Sequence, residues 1–140
     1  MSIVETPTTA VPSPFLKEEH VDIRAMVREF ALAEVAPLAA TLDEEKRFPH
    51  ETIPKLAELG LMGVPFPEEV GGTGLDYVAY AIVIEELARV CGTTAITVAA
   101  HTSLGTGPIY HFGTEEQRQR WVQRCASGEM LAAFALTEPE

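Results

Sequence analysis

The sequence predicts an all-α fold, a bundle of about five to six helices, with one strand at its C-terminal end that would begin a β-domain. Apolar residues recur every three or four positions in several segments, as at Ile23, Val27 and Phe30, which is the period of a helix. Capping and helix-ending residues separate these segments. Only one short apolar run, 131–136, leads directly into a Thr-Glu-Pro break, a pattern typical of a strand entering a loop.

Composition and charge argue against several classes of function. The 140 residues are 46% hydrophobic and carry a formal net charge of -11, with 10 Lys and Arg against 21 Asp and Glu. One domain of this length can bury a core. The acidic balance argues against nucleic acid and against anionic membrane surfaces. No apolar stretch reaches the ~20 residues of a membrane span.

The two cysteines and the N-terminal segment indicate the compartment. Cys91 and Cys125 do not form a C-x-x-C pair, so we expect two reduced thiols and no zinc site. The N-terminal residues lack a basic region followed by an apolar run, which argues against a signal peptide. We therefore expect a cytoplasmic protein.

The N-terminal part is expected to hold an arm and one long helix. Residues 1–16 contain three prolines and several Ser and Thr, so we predict a flexible arm there. A helix should begin near Lys17 to His20. Pro37 should end or kink it, with helix resuming through about Glu45.

A short helix and a buried connection should follow. The helix is predicted from about Glu51 to Leu59, with Gly60 as its C-terminal cap. Residues 61–67 are apolar and contain two prolines, so we predict a buried extended connection. The glycines of 71–74 do not match a phosphate-binding G-x-G-x-x-G pattern, and we predict a surface turn.

The remaining segments predict three helices and the strand. A strong helix should run from about Asp76 to Cys91. A mostly apolar helix, buried for that reason, should run from Thr93 or Thr94 to about Leu104 and be loosened or ended by 105–108. Thr114 and Gln117 form a capping box for a last helix that ends near Gly128. The strand has no partner in these residues and cannot satisfy its backbone alone, which predicts an incomplete chain.

Three titratable residues are candidates for a functional site. Glu85 and Glu86 could be catalytic, but we expect them to face solvent, with Glu85 paired to Arg89. His101 could line a substrate pocket or be a hydrogen-bonded core histidine. It has no second His four residues on and no neighbouring carboxylate, so a metal site is not expected.

An ordered series of segments resembles the acyl-CoA dehydrogenase family over about residues 17–140. The C-terminal run Phe134-Ala-Leu-Thr-Glu-Pro139 is similar to the family's flavin-contacting motif, roughly aromatic-x-apolar-Thr-Glu-Pro-x-Ala-Gly-Ser-Asp. Glu140 takes the variable position before its second half. The other similar segments are 48–49, 56–61, 64–74, 85–88 and 113–117.

The resemblance implies a domain plan and FAD as cofactor. Family members have an N-terminal helical domain, a middle β-domain and a C-terminal four-helix bundle. Here 17–129 would be the first, and 130–140 would start the second. Phe134 would pack near the isoalloxazine ring, and Leu136 and Thr137 would hydrogen-bond its polar edge.

The resemblance also implies a reaction, the residues that line the acyl-binding cavity, and partners. The family dehydrogenates acyl-CoA thioesters in fatty acid β-oxidation or related catabolism: a carboxylate removes the α-proton while hydride leaves to flavin N5. We expect the acyl cavity wall to include Thr97, Ala100, Ser103 and Leu104. No residue here resembles the catalytic base, so we predict that these 140 residues alone are inactive. Electron-transfer flavoprotein is the expected acceptor and a homotetramer the expected complete assembly.

Two alternatives stay open at this point. The chain could be a stand-alone helical module that binds acyl-CoA or a partner subunit, and stable solubility as a monomer would favour it. It could also be a segment of an acyl-CoA oxidase-like flavoenzyme, because oxygen reactivity depends on flavin surroundings beyond Glu140.

Overall fold

The computed structural model describes residues 13–138, and helices account for all regular secondary structure within that range. The helical segments join into five continuous stretches, which confirms the predicted all-α class. Most of the predicted arm, 1–16, lies outside the described residues. The elements are α1 (Glu18–Phe30), π1 (Ala31–Val35), α2 (Ala36–Glu45), α3 (Ile53–Glu58), a 3₁₀ turn (Glu68–Val70), α4 (Tyr77–Ala88), α5 (Gly92–Ala99), π2 (Ala100–Thr106), α6 (Gly107–Phe112), α7 (Glu115–Gln117), π3 (Arg118–Val122) and α8 (Gln123–Ala126).

Two of the π-helical segments lie just before a proline. Pro37 follows π1, and Pro108 follows π2. A proline ring inside a helix clashes with the carbonyl four residues earlier, and a wider turn makes room for it. The helix is thus not ended at Pro37 but passes through a π-helical turn and continues to Glu45, as expected. The apolar helix after Cys91 is likewise loosened rather than ended.

Local capping signals act where the sequence places them. Asp76 caps α4 by accepting hydrogen bonds from the amides of Val78 and Ala79 at 3.0 and 2.9 Å. Thr114 and Gln117 form the predicted capping box of α7. Gly60 follows α3 with φ of 72°, a conformation that favours glycine. Each signal depends only on residues within a few positions of one another.

The core lies where α1 and α4 pack together and α4 packs on α5. The connection 61–67 enters this core, with Leu61, Met62 and Val64 about fully buried. Its predicted burial is correct, but its predicted extended form is wrong. The amides of Gly63 and Phe66 donate to the carbonyls of Gly60 and Gly63, so the connection folds into successive turns.

The expected position of Glu86 is also wrong. Its side chain is buried and accepts hydrogen bonds from Arg24 and Arg28 of α1 and from Arg89. Glu85 pairs with Arg24 at 3.0 Å rather than with Arg89. The arginines of α1 are about 60 residues away in sequence, so helix spacing within α4 could not reveal them.

The C-terminal segment 131–138 has no regular secondary structure in the described part of the chain. The strand predicted over 131–136 is therefore not present as a strand. A strand is defined by backbone hydrogen bonds to a neighbour, and no described segment pairs with 131–138. Pro139 and Glu140 lie outside the described residues. None of the described helices combines the length and the apolar character that crossing a bilayer requires.

Candidate functional site

A pocket of about 290 Å³ lies where the C-terminal segment crosses the helix formed by α5 and π2. Thr97, Ala100 and Leu104 line it from the helix, and Phe134 lines it from the segment. Four of the seven residues predicted for substrate and flavin contacts are thus at one place. The rest of the lining is Phe48, His101 and residues 131–133.

Helical periodicity places these residues together. Ala100 and His101 follow Thr97 by three and four positions, and Leu104 follows them by four and three, so the four residues share one face. The Thr97 hydroxyl donates to the Thr93 carbonyl one turn earlier at 2.8 Å. This hydrogen is used within the helix, so the pocket offers mainly aliphatic and aromatic groups, which suit an apolar ligand.

Ser103, also predicted for the substrate wall, lies elsewhere. Its hydroxyl donates to the Ala99 carbonyl at 2.6 Å. It lines a separate pocket of about 180 Å³ with Tyr80 and His111 among its neighbours. Its assignment to the acyl cavity stays a prediction.

His101 connects three parts of the site. Its ring is 1% exposed. The Ala132 amide donates to Nδ1 at 3.0 Å, so Nδ1 must be the unprotonated nitrogen. Nε2 lies 3.0 Å from the Cys125 carbonyl and must therefore donate to it. Burial lowers the pKa of His101, which agrees with a neutral ring in this tautomer.

The predicted flavin-contacting residues lie on the accessible side of the segment. Phe134 is 56% exposed and Leu136 is 77% exposed, and Thr137 is also exposed. Within residues 13–138, the backbone of 133–138 makes no hydrogen bond. An aromatic face beside unused amides and carbonyls fits a flavin, which has an apolar centre and a polar pyrimidine edge.

Phe48 also belongs to this site, although no sequence pattern predicted it there. Phe48 comes from the turn between α2 and α3, and its ring packs on His50 at 4.8 Å between centroids. An aromatic residue before Pro49 in a charged stretch is the available signal, but no local pattern relates it to α5.

Glu19, His20 and Asp76 form a polar cluster outside the pocket. Their side chains are of types that can bind a metal ion, but their hydrogen bonds connect α1 with α4. The ligand atoms of the cluster lie within 4.8 Å of one another. Asp76 already caps α4, accepts from Lys17 at 3.0 Å and lies 2.9 Å from His20 Nε2. Hydrogen bonds from the Ala79 backbone and from Lys17 lower the pKa of Asp76 well below its usual range. We assign the cluster to the junction of α1 and α4.

Comparison with known proteins gives one consistent result. The family model described as "Acyl-CoA dehydrogenase, N-terminal domain" matches residues 17–129. The probable acyl-CoA dehydrogenase YngJ of Bacillus subtilis is 49% identical over 124 residues, which cover 89% of this chain and 33% of that protein. The chain thus spans about one third of the length of the curated relatives it matches.

Two solved structures are similar as well. In a structure of the electron transferring flavoprotein of Acidaminococcus fermentans, one chain has 42% identity and a TM-score of 0.86, over 91% of this chain and 33% of that one. The other is an acyl-CoA dehydrogenase complexed with FAD from Bacillus anthracis. It has 40% identity and a TM-score of 0.79, over 89% of this chain and 21% of that one.

Proposed function

Because the chain belongs to the acyl-CoA dehydrogenase family, we propose that it forms the N-terminal helical part of an FAD-dependent enzyme that introduces an α,β double bond into acyl-CoA thioesters. The observation that carries the proposal is the shared pocket of Thr97, Ala100, Leu104 and Phe134. It brings the predicted acyl wall next to the predicted flavin-facing segment. A fatty acyl chain and the dimethylbenzene end of a flavin both favour such an apolar surface.

The proposed roles follow the position of each residue. Phe134 would pack near the flavin ring, and the backbone of Leu136 and the hydroxyl or amide of Thr137 would hydrogen-bond its polar edge. Thr97, Ala100 and Leu104 contact the acyl chain. Ser103, which lines a separate pocket with Tyr80 and His111, is proposed to join that wall in the complete enzyme. When bound, FAD accepts the hydride that leaves the β-carbon.

Exposed apolar side chains favour this proposal over a stand-alone module. Ile96 is 64% exposed, Leu104 51%, Phe112 89% and Leu136 77%. Ile96, Leu104 and Leu136 are on the elements that form the pocket. Exposed large apolar side chains on the elements around one pocket are typical of a surface that another domain covers. We propose that residues 17–129 are the helical domain and 130–140 the entry to a β-domain.

Further parts of the proposal concern turnover and partners. The catalytic base is supplied from outside these residues, so the 140-residue chain alone gives no dehydrogenase turnover. The electron acceptor is an electron-transfer flavoprotein, and the complete enzyme is a homotetramer in the cytoplasm. The similar chain in the Acidaminococcus fermentans structure supports the choice of acceptor.

Anaerobic flavin reduction tests the proposal. The complete product of the gene, purified with its bound flavin, is mixed with acyl-CoA thioesters of increasing chain length. We expect at least one thioester to bleach the flavin absorbance, and reoxidation by an electron-transfer flavoprotein to be faster than reoxidation by oxygen. A product that binds acyl-CoA without any flavin would instead support the binding module, and rapid formation of hydrogen peroxide would support an oxidase.

A further inference from the structure

Ala132 makes the last hydrogen bond before the flavin-facing residues. Its amide donates to His101 Nδ1 at 3.0 Å, whereas the backbone of 133–138 makes none within the described residues. Phe134 follows two positions later, and Leu136 four. The position of the segment relative to the helix is therefore set at Ala132.

The acceptor at His101 is held in place from its other side. Its Nε2 donates to the Cys125 carbonyl near the end of α8 at 3.0 Å. This second bond fixes both the ring orientation and the tautomer that leaves Nδ1 free to accept. The Thr106 hydroxyl also donates to the His101 carbonyl at 2.9 Å. This bond holds the π-helical backbone at His101 in place.

Gly105 provides the space that the same contact needs. It lies one turn after His101 on π2. A Cβ at Gly105 would lie 2.5 Å from the Ala132 Cβ and 2.6 Å from its carbonyl carbon. Any larger residue would move the segment outward, so His101 fixes Ala132 by a hydrogen bond and Gly105 permits the close approach.

We propose that His101 is a positioning residue that, with Gly105, holds Ala132 against the helix and thereby sets where Phe134, Leu136 and Thr137 meet the flavin. The inference rests on the proposed function for its flavin part. Although His101 also lines the pocket, its proposed role is to position Ala132 through a hydrogen bond. It acts through the backbone of the segment, because a displaced Ala132 displaces every residue that follows it.

Two substitutions test the hydrogen bonds of the two ring nitrogens of His101 one at a time. In His101→Asn the amide oxygen can occupy the place of Nδ1 and accept from Ala132, but nothing reaches Cys125. In His101→Gln the longer side chain can donate to the Cys125 carbonyl, but the acceptor for Ala132 is lost. If His101 positions Ala132, the Asn variant should resemble the wild type more closely than the Gln variant does. If His101 only fills the core, the two variants should behave alike, because both place an amide in the same buried site.

The measurement is hydrogen exchange of the complete gene product with its flavin. We expect His101→Gln to speed exchange in the peptide that contains Ala132 by about threefold to tenfold, the effect of one hydrogen bond. We expect FAD to bind at least about threefold more weakly in the same variant. His101→Asn should stay within about twofold of wild type in both readouts. Exchange in peptides from α4 should match wild type and reports on global folding.

Gly105→Ala gives a second route if His101→Gln does not fold. It leaves the ring of His101 in place and moves the segment by contact alone, so it should also speed exchange near Ala132 and weaken FAD binding. Equal behaviour of Asn and Gln, or unchanged exchange near Ala132 in both Gln and Gly105→Ala variants, would overturn the proposal.

The failures of the two proposals differ in this experiment. A complete wild-type product that holds no FAD would overturn the proposed function, and with it the flavin part of this inference. The exchange of the Ala132 peptide would still decide the contact with His101. Faster exchange near Ala132 with unchanged FAD binding would overturn the positioning role alone.

Discussion

The guanidinium of Arg28 on α1 donates two hydrogen bonds to the buried carboxylate of Glu86 on α4. Nε lies 2.9 Å from Oε2, and Nη2 lies 2.8 Å from Oε1. Arg24 Nη1 adds a third bond at 2.8 Å. Because α1 and α4 form the main packing interface of the core, this carboxylate fixes their relative position.

Replacing Glu86 by Gln should destabilise the fold. Gln keeps the shape but removes the charge and one acceptor, so Arg24, Arg28 and Arg89 lose a charged acceptor. A hydrogen bond to a charged group contributes about 1.5–3 kcal/mol, and breaking a buried pair costs somewhat more. We expect the free energy of unfolding in urea to fall by about 2–4 kcal/mol.

Glu85→Gln is the matched control. Glu85 is the preceding residue, but its side chain is 56% exposed and pairs with Arg24 at the surface. An exposed ion pair contributes less than about 1 kcal/mol. Equal losses of stability in the two variants would contradict the buried role of Glu86.

Stability should fall as the pH decreases from 7 to 5. Burial lowers the pKa of His101 in the folded chain, whereas an unfolded His titrates near 6.5. The unfolded state therefore takes up a proton first, and stability present above about pH 6.5 is lost as pH falls through the folded pKa. His101→Asn should reduce this slope, by at most about 1.4 kcal/mol per pH unit.

A second decrease in stability should follow in the acid range. Burial alone would raise the pKa of Glu86, but hydrogen bonds from Arg28 and Arg24 more than offset it and hold the pKa below its usual value. Its stabilisation is thus present above the unfolded pKa, near 4.3, and is lost as pH falls through the lower folded pKa. Urea titrations at several pH values should show a smaller acid slope in Glu86→Gln than in the unsubstituted chain.

Gly105→Ala should disturb the segment without unfolding the helices. The added methyl would overlap Ala132, and overpacking of this kind costs about 1–3 kcal/mol unless the neighbour moves. Gly92→Ala is the control, because a Cβ there meets nothing within 4 Å. Thermal unfolding should show a lower Tm for Gly105→Ala and an unchanged or slightly higher Tm for Gly92→Ala. A Tm for Gly105→Ala as high as that of the control would mean that the segment does not pack closely at Ala132.

The features that sequence alone predicts here are local. The capping box of Thr114 and Gln117, the cap at Gly60 and the resumption of helix after Pro37 all depend on residues a few positions apart. Glu86 was misplaced because its partners Arg24 and Arg28 are on another helix. The strand over 131–136 was predicted from its apolar run, but it has no described partner to pair with.

The candidate site shows the same division. Periodicity places Thr97, Ala100 and Leu104 on one face, and the resemblance names Phe134. The meeting of that face with the segment depends on contacts of His101 and Gly105 with Ala132, which lies about 30 residues later in the sequence. The sequence leaves two roles open for His101, a pocket-lining residue or a hydrogen-bonded core histidine. In the structure it has both, because the ring is hydrogen-bonded in the core and also lines the pocket.

The intact mass of the native protein decides between the helical part of a larger flavoenzyme and a separate helical module. The protein is captured from its source with an antibody raised against residues 17–129, and its denatured mass is recorded together with its flavin absorbance. We expect a polypeptide about three times the length of this chain, in line with its relatives, with bound FAD. A mass near 15.2 kDa without flavin would contradict this expectation and would identify a separate helical binding module.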